Sequence, residues 1–278
     1  MKIDILLSVY NGGKYLAEQI QSIVNQSNKD WSLTIRNDFS NDNSLKIIQN
    51  FCDKFSNKIF LQNDNLGNIG AVKSFNELLK NSTKDYIMFC DQDDVWLENK
   101  IEFSLQKMQQ KEQEKGKDTP LLFFTDLKVV DKNLNTISNS FFDFSGIIFK
   151  ESPKFNDIAV RNSITGCTVL MNRAAVKSIL PINNKTEMHD IWAALCVAKN
   201  GYVFGSKEVS VLYRQHSQNT IGAKKRKRFA VSFTNLKNSY LCNKQRFECV
   251  KAVDKSFSIF QYLFYKIVYF FKKTNQLN

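Results

Sequence analysis

Apolar positions in the first ninety residues form two kinds of stretch. Ile3-Asp4-Ile5-Leu6-Leu7-Ser8-Val9 and Tyr86-Ile87-Met88-Phe89-Cys90 are nearly continuous runs, the pattern of strands buried on both faces rather than one. Between them, Leu16, Ile20, Ile23 and Val24 recur at helical spacing. Trp31 to Arg36 predicts a second strand and Ser44 to Phe55 a second helix. Ile59-Phe60-Leu61 predicts a short third strand, and Ala71 to Lys80 a third helix. Strands alternating with helices make a parallel sheet, and open sheets of this kind bind ligands beyond the carboxyl ends of their strands. The expected fold class is therefore α/β, with a βαβαβ half that binds a nucleotide. No GxGxxG follows the first strand, which disfavours a dinucleotide site.

The second half is less regular. Leu97 to about Lys115 reads as a charged, exposed helix, broken by Gly116-Lys117-Asp118-Thr119-Pro120. Leu121 to Asp126 is an apolar strand that stops on a carboxylate, and residues 132–160 read as loops with one short helix. Ser163 to Met171 predicts a strand, and Arg173 to Leu180 a helix. A further helix runs through Lys199, with Thr186 a candidate cap. Tyr202-Val203-Phe204 and Val209 to Tyr213 read as two closing strands.

The candidate chemistry gathers where the apolar run at 86–90 ends. Asp91, Asp93 and Asp94 follow at once, so three carboxylates are expected in a crevice at a strand end. Like charges that close raise one another's pKa unless a cation neutralises them, and a hard divalent ion bridging to phosphate is the natural partner. The competing reading makes Asp94 the cap of a helix starting at Val95. Arg214 has the forked donors that suit a diphosphate, and His216 lies on the same face if the segment is a strand. Asp190 stands at a predicted helix start, where the dipole favours the ionised form, or where it simply caps. Asp38 follows the second strand, where an Asx turn is the plain alternative.

Composition narrows the picture. The chain has 278 residues, 10 Gly and 3 Pro, a profile for one large or two small ordered domains. Six cysteines without a CxxC pair read as reduced core thiols, and two histidines argue against a zinc site. The thiols read as those of a cytosolic protein, and no signal peptide is expected before Lys2-Ile3-Asp4. The net charge is +12, and residues 222–278 carry 13 Lys and Arg against 2 Asp and Glu. The tail therefore holds the charge, including the run Lys224-Lys225-Arg226-Lys227-Arg228, and ends in an aromatic stretch from Phe257 to Phe271. At about fifteen residues that stretch falls short of the ~20 needed to cross a bilayer. An interfacial helix on an anionic membrane is expected, against a helix packed on the body or an oligomer contact.

These motifs resemble family 2 glycosyltransferases of the GT-A fold, within them the bacterial rhamnosyltransferase-like branch. The resemblance is carried by Ser8-Val9-Tyr10-Asn11-Gly12, Glu18-Gln19-Ile20, Phe89 to Trp96, Thr165-Gly166-Cys167-Thr168, His189-Asp190 and Tyr213-Arg214-Gln215-His216. It implies a GT-A domain over 1–222, a mixed sheet flanked by helices, with a basic helical tail over 223–278. It also implies an inverting, metal-dependent transfer from dTDP-rhamnose or a UDP-hexose to a glycan, lipid-linked, at the inner membrane face. Asp190 would be the general base. Asp91, Asp93 and His216 would hold Mg²⁺ or Mn²⁺. Tyr10, Asn11, Asp38, Asn68, Lys73, Asp91 and Arg214 would face the nucleotide sugar. Thr165, Gly166, Cys167, His189 and Trp192 would line the acceptor. The chain departs from the family pattern after the second strand, where Asn37-Asp38-Phe39-Ser40 replaces Asp-Asp-Gly-Ser. The alternative function is a non-catalytic protein on the same scaffold that binds nucleic acid or membrane through its basic tail; the near-neutral body disfavours nucleic acid.

Overall fold

The computed structural model describes residues 2–184, 186–216 and 233–275, except for the side chains of 233–242 and 273–275. The basic run at 224–228 and the expected domain boundary at 222 lie outside the described residues. Strands β1 (Ile3–Val9), β2 (Trp31–Asn37), β3 (Ile59–Leu61) and β4 (Tyr86–Cys90) are parallel. They are joined by helices α1 (Leu16–Val24), α2 (Ser44–Lys54) and α3 (Ala71–Asn81), as the periodicity predicts. Alternation within the buried runs divides the core into two layers. From β1, Ile3, Ile5, Leu7 and Val9 face one cluster and Leu6 the other. From β4, Ile87 and Phe89 enter the second cluster, and Met88 and Cys90 the first.

The second half turns the sheet mixed. After β5 (Val95–Trp96) and α4 (Lys100–Lys115) come β6 (Leu121–Val130), β7 (Thr136–Ser138), β8 (Leu170–Asn172) and β9 (Tyr202–Arg214). The strand order is β3-β2-β1-β4-β8-β6-β9-β5, with β7 paired to β6. β8 runs antiparallel to both β4 and β6, so it joins the parallel half to the rest. Short helices α5 (Phe141–Ser145), α6 (Phe155–Val160) and α7 (Arg173–Ile179) and the longer α8 (His189–Asn200) fill this half. Two C-terminal helices follow, α9 (Phe233–Val253) and α10 (Ile259–Asn275).

Several expectations need correction. Residues 132–160 hold β7 and two helices rather than one. The strand expected from Ser163 is a 3₁₀ turn over Gly166–Thr168 followed by three strand residues. The two closing strands are one strand of 13 residues paired along β6. β6 does not stop at Asp126. That carboxylate is buried within the strand and accepts the Ser140 hydroxyl and the Phe141 and Phe142 amides, so local bonding replaces the turn its charge suggested. Thr186 does not cap α8. Met188 holds the cap position, and the Thr186 hydroxyl donates to the Met188 carbonyl. Helix α4 is not exposed all round, since Ile101, Ser104 and Met108 lie buried on one face.

The C-terminal helices share the core. Cys249, Val250, Phe257 and Tyr262 belong to the same apolar cluster as α8. Lys199 of α8 pairs with Asp254 at 2.6 Å. Five cysteines with described side chains are free thiols, four of them buried, as expected.

Candidate active site

Parallel register sets the site. Val9 pairs with Asn37 and Leu7 with Cys90, so β1, β2 and β4 end together and deliver Tyr10, Asp38 and Asp91 to one edge. Gln92 staples two of these ends: its carbonyl accepts the Tyr10 N–H at 2.8 Å and its amide donates to the Tyr10 carbonyl at 3.1 Å. Gly12 leaves room for this staple, since a Cβ there would lie 2.5 Å from Gln92 Oε1 and push the Gln92 amide aside. Asn11 takes positive φ and accepts the Asn41 N–H. Tyr10 remains exposed at the rim.

Asp38 is buried and bonded on every side. Oδ1 accepts from Arg36 and, at 2.8 Å, from the Ile69 N–H; Oδ2 accepts the Gly70 N–H at 2.8 Å. Gly70, at φ 79°, is the position that turns these two amides inward. Arg36 is buried too and reaches Asp64 at 2.6 Å. Asn68 donates to the Asp38 carbonyl at 3.0 Å. Asp38 thus anchors the 68–70 loop, and the Asx-turn alternative does not describe it. Lys73 stands exposed in the first turn of α3. Phe39, where the family pattern has Gly, takes φ 64° and is 66% exposed.

The end of β4 has the opposite character. Asp91, Asp94 and Cys167 place ligand atoms within 4.8 Å of one another. Burial pushes the Asp91 carboxyl up to about 7, reinforced by the charges of Asp93 and Asp190. Burial, then Asp93 and Asp91, raises Asp94 far above the carboxylate range. Asp94 accepts the Arg214 N–H at 3.1 Å through Oδ1, while Oδ2 is buried with no partner among the described residues. It caps no helix, because Val95 and Trp96 pair with β9 as a strand. Asp93 receives His216 Nε2 at 2.8 Å, and the His216 ring lies 4.8 Å from that of Tyr15. This donor set fits a hard divalent cation: adjacent carboxylates, one buried oxygen unpartnered, and charge that burial makes costly. Cys167 does not belong to that set. Burial and the two carboxylates raise its thiol, and a protonated thiol is a poor donor to Mg²⁺ or Mn²⁺.

Arg214 is a clamp within the wall. Its guanidinium donates to the Asp93 and Lys132 carbonyls at 2.8 Å each, pairs with Glu18 and lies 4.5 Å over the Tyr15 ring. These bonds join α1, the acidic loop and β9, and the side chain is buried. It shapes the acidic loop from behind, a different placement from the open diphosphate ligand its forked donors suggested.

On the far side, Asp190 sits in the first turn of α8. Oδ1 accepts the Ile191 N–H at 2.6 Å, and Oδ2 accepts the Gly166 N–H at 3.0 Å. Burial pushes its carboxyl up to about 6; these backbone bonds and the charge of Arg246 pull the other way. Thr165 and Gly166 stand at this wall. His189 is buried, stacked 3.7 Å from the Phe75 ring and edge-on to Phe89, and burial lowers its pKa to about 3. A Cβ at Gly166 would come within 3.1 Å of His189 Nε2, so the two residues are fitted to each other. Trp192 is core, its indole N–H donating to the Ile179 carbonyl at 2.8 Å. The expected acceptor set therefore divides: Thr165, Gly166 and Cys167 adjoin the carboxylates, while His189 and Trp192 are packed beneath.

Two contributors escaped the sequence reading. Lys100 is wholly buried, 4.6 Å from the Trp96 ring and 3.4 Å from Ser210 Oγ, and burial lowers its ammonium to about 8 against the pull of Cys167, Cys90 and Asp94. Its place on the buried face of α4, one residue before Ile101, was the available signal. Arg246 of α9 pairs with Glu187 at 2.7 Å, three residues before Asp190. No local pattern in the sequence announces that contact.

Residues 4–179 match the model of glycosyl transferase family 2. The chain belongs to this family. The dTDP-rhamnosyl transferase RfbG of Shigella flexneri is 28% identical over 232 residues, covering 78% of this chain and 74% of that protein. The putative teichuronic acid biosynthesis glycosyltransferase TuaG of Bacillus subtilis is 26% identical over 76% of this chain and 78% of its own. Among solved structures, S. aureus TarS 1–349 in complex with UDP-GlcNAc superposes with a TM-score of 0.57 at 20% identity. That match covers 79% of this chain, which spans 60% of the TarS chain. The likeness to TarS is one of fold: the mixed, helix-flanked sheet of this family 2 member is the GT-A architecture.

Proposed function

We propose that this family 2 member is a metal-dependent, inverting glycosyltransferase. It takes a rhamnosyl or hexosyl group from dTDP-rhamnose or a UDP-hexose and places it on a hydroxyl of a lipid-linked glycan in the synthesis of a cell-surface polysaccharide. The observation that carries this reading is the cluster of carboxylates at the end of β4, where Asp91 and Asp94 stand within 4.8 Å of each other, with Asp190 at a helix start close enough to help raise Asp91. The names of RfbG and TuaG support the donor class and the kind of polymer.

The chemistry follows from that pairing. Asp91, Asp93 and Asp94, with His216 on Asp93, would hold Mg²⁺ or Mn²⁺, which would supply positive charge to the leaving diphosphate. Asp38 is buried and met by Arg36 and the Ile69 and Gly70 amides, so it would serve the nucleobase by fixing the 68–70 loop. Tyr10, Asn11 and Lys73 border the donor. Asp190, held by two backbone amides, takes the proton of the acceptor hydroxyl as that oxygen bonds to the anomeric carbon and the carbon–phosphate oxygen bond breaks. A carboxyl near 6 is ionised at neutral pH yet basic enough for the task.

The acceptor's lipid places the reaction at the cytoplasmic membrane face. Among the described residues no helix is long and apolar enough to cross a membrane. Helix α10 instead has a packed face and an apolar outer one: Tyr262 is 2% exposed, whereas Phe260 is 80% exposed, with Leu263, Phe264, Ile267, Phe270 and Phe271 also at least half exposed. A continuous apolar stripe beside lysines suits an anionic bilayer surface. Turnover of dTDP-rhamnose and UDP-hexoses, each with and without Mn²⁺, tests the proposal. Transfer that depends on the metal and vanishes in Asp190→Asn is expected, and metal-independent transfer would exclude the acidic loop's role.

A further inference from the structure

The packed face of α10 does not close completely against the body. A cavity of about 120 Å³ lies between it, the 147–153 segment and α6. Ile147, Ile148, Val160 and Val268 give it apolar walls, with Tyr265 and Tyr269 between them. The Tyr269 hydroxyl accepts the Ile148 N–H at 3.5 Å, tying the helix to that segment. Three cations line the same cavity: Lys150, Arg161 and Lys272. Asp157 lines it as well and is paired with Lys150, so Arg161 and Lys272 outnumber the remaining acids. Positive charge continues behind it, where burial, Arg246 and Arg161 together lower the Lys266 ammonium.

Position gives the cavity meaning. The helix that walls it carries the exposed apolar stripe on its other side, so the cavity lies one helix thickness from the surface that would meet a bilayer. Ser163 lines the cavity, and Gly166, three residues on, donates to Asp190. Three residues span at most about 11 Å. Arg161 is five residues before Gly166, at most about 18 Å of chain, so an anionic headgroup there is within the reach of a short glycan from Asp190.

We infer that this cavity binds the lipid end of the acceptor: a long isoprenoid or alkyl chain bearing a phosphate or diphosphate, its first carbons against Val160 and Val268 and its phosphate against Arg161 and Lys272. Forked donors on Arg161 suit phosphate oxygens. The apolar walls exclude a free anion as the favoured ligand, and the cations exclude a neutral lipid. The inference deepens the transferase reading and rests on it only for the direction of the glycan.

The test is binding of detergent-dispersed decaprenyl phosphate to the full chain, followed by native mass spectrometry, beside decaprenol and inorganic phosphate. Decaprenyl phosphate is expected to bind about tenfold or more tighter than either. Val268→Trp, which fills the cavity, and the double charge reversal Arg161→Glu with Lys272→Glu should each lower that affinity about tenfold. The reversal sits on exposed side chains and keeps the test valid if the Trp variant misfolds. Equal binding of decaprenol, equal binding of phosphate, or unchanged affinity in the charge-reversed protein would overturn the inference. So would affinity that follows only the phosphatidylglycerol content of added vesicles. Nucleotide-dependent stabilisation, measured on the same variants, separates the two readings: it should persist where decaprenyl phosphate binding is lost, and its absence in wild type would count against the transferase reading instead.

Discussion

The ends of β2 and β4 lie two strands apart on one sheet edge, and each presents a buried aspartate to it. At β2 the charge is met from within: Arg36 and two backbone amides surround Asp38, and Arg36 in turn holds Asp64. At β4 Asp91 and Asp94 face each other and Asp93, with an unpartnered oxygen on Asp94 and the buried Lys100 as the cation behind. The same residue type is scaffold in one place and an unfinished coordination shell in the other. What separates them is whether the fold itself supplies the counter-charge, a property of tertiary contacts rather than of either local sequence.

This contrast can be broken by substitution. The largest effect is expected at the carboxylate in the first turn of α8: Asp190→Asn should lower turnover by about 10²–10⁴-fold while leaving the donor's KM near wild type, measured by steady-state transfer. At the β2 end, Asp38→Ala strips a buried arginine of one partner and frees the 68–70 loop, and should destabilise the fold by about 3 kcal/mol in urea unfolding. At the β4 end the sign reverses. Asp91→Asn removes a repelling charge and should stabilise the ligand-free protein by about 1–2 kcal/mol at pH 8. The folded Asp91 carboxyl keeps its proton up to about 7, whereas the unfolded one releases it near ~4. Wild-type stability should therefore fall as pH rises through that window, and the variant's curve should be flatter. The smallest effect is on the rate profile. Asp190 faces Asp91 and Arg246 and titrates at about 6, so activity should climb through that pH and level off above it.

The parallel half was legible because its signals are local. Buried runs at 3–9 and 86–90, helical spacing in α1 and turn residues at 10–13 each point to one element, and register then carries Tyr10, Asp38 and Asp91 to a common edge. The gathering of Asp91 and Asp94 was legible for the same reason, since both follow the end of β4 directly, whereas Asp190 stood out only through the resemblance to family 2. Beyond residue 120 the pattern misleads. Asp126 reads as a strand end, but bonds to Ser140 and two amides keep it inside β6. His189 reads as an accessible ligand beside Asp190, yet helix geometry turns it into a cage of Phe75 and Phe89. Arg214 reads as a phosphate ligand, and its partners Glu18 and Lys132 are far away in the sequence. The helix α9 contact through Arg246 and Glu187 is equally non-local. In each case the deciding partner sits on another element, where periodicity has no purchase.

The central claim is that the end of β4 is completed by a cation and a diphosphate. Thermal unfolding with UDP, dTDP, GDP and CMP, each with and without Mn²⁺, tests it most directly, because a ligand that binds only the folded state raises the Tm with its affinity. A rise with UDP or dTDP that requires Mn²⁺ and is lost in Asp93→Ala is the predicted result. An equal rise without the metal, or no rise with any of the four nucleotides, would contradict it.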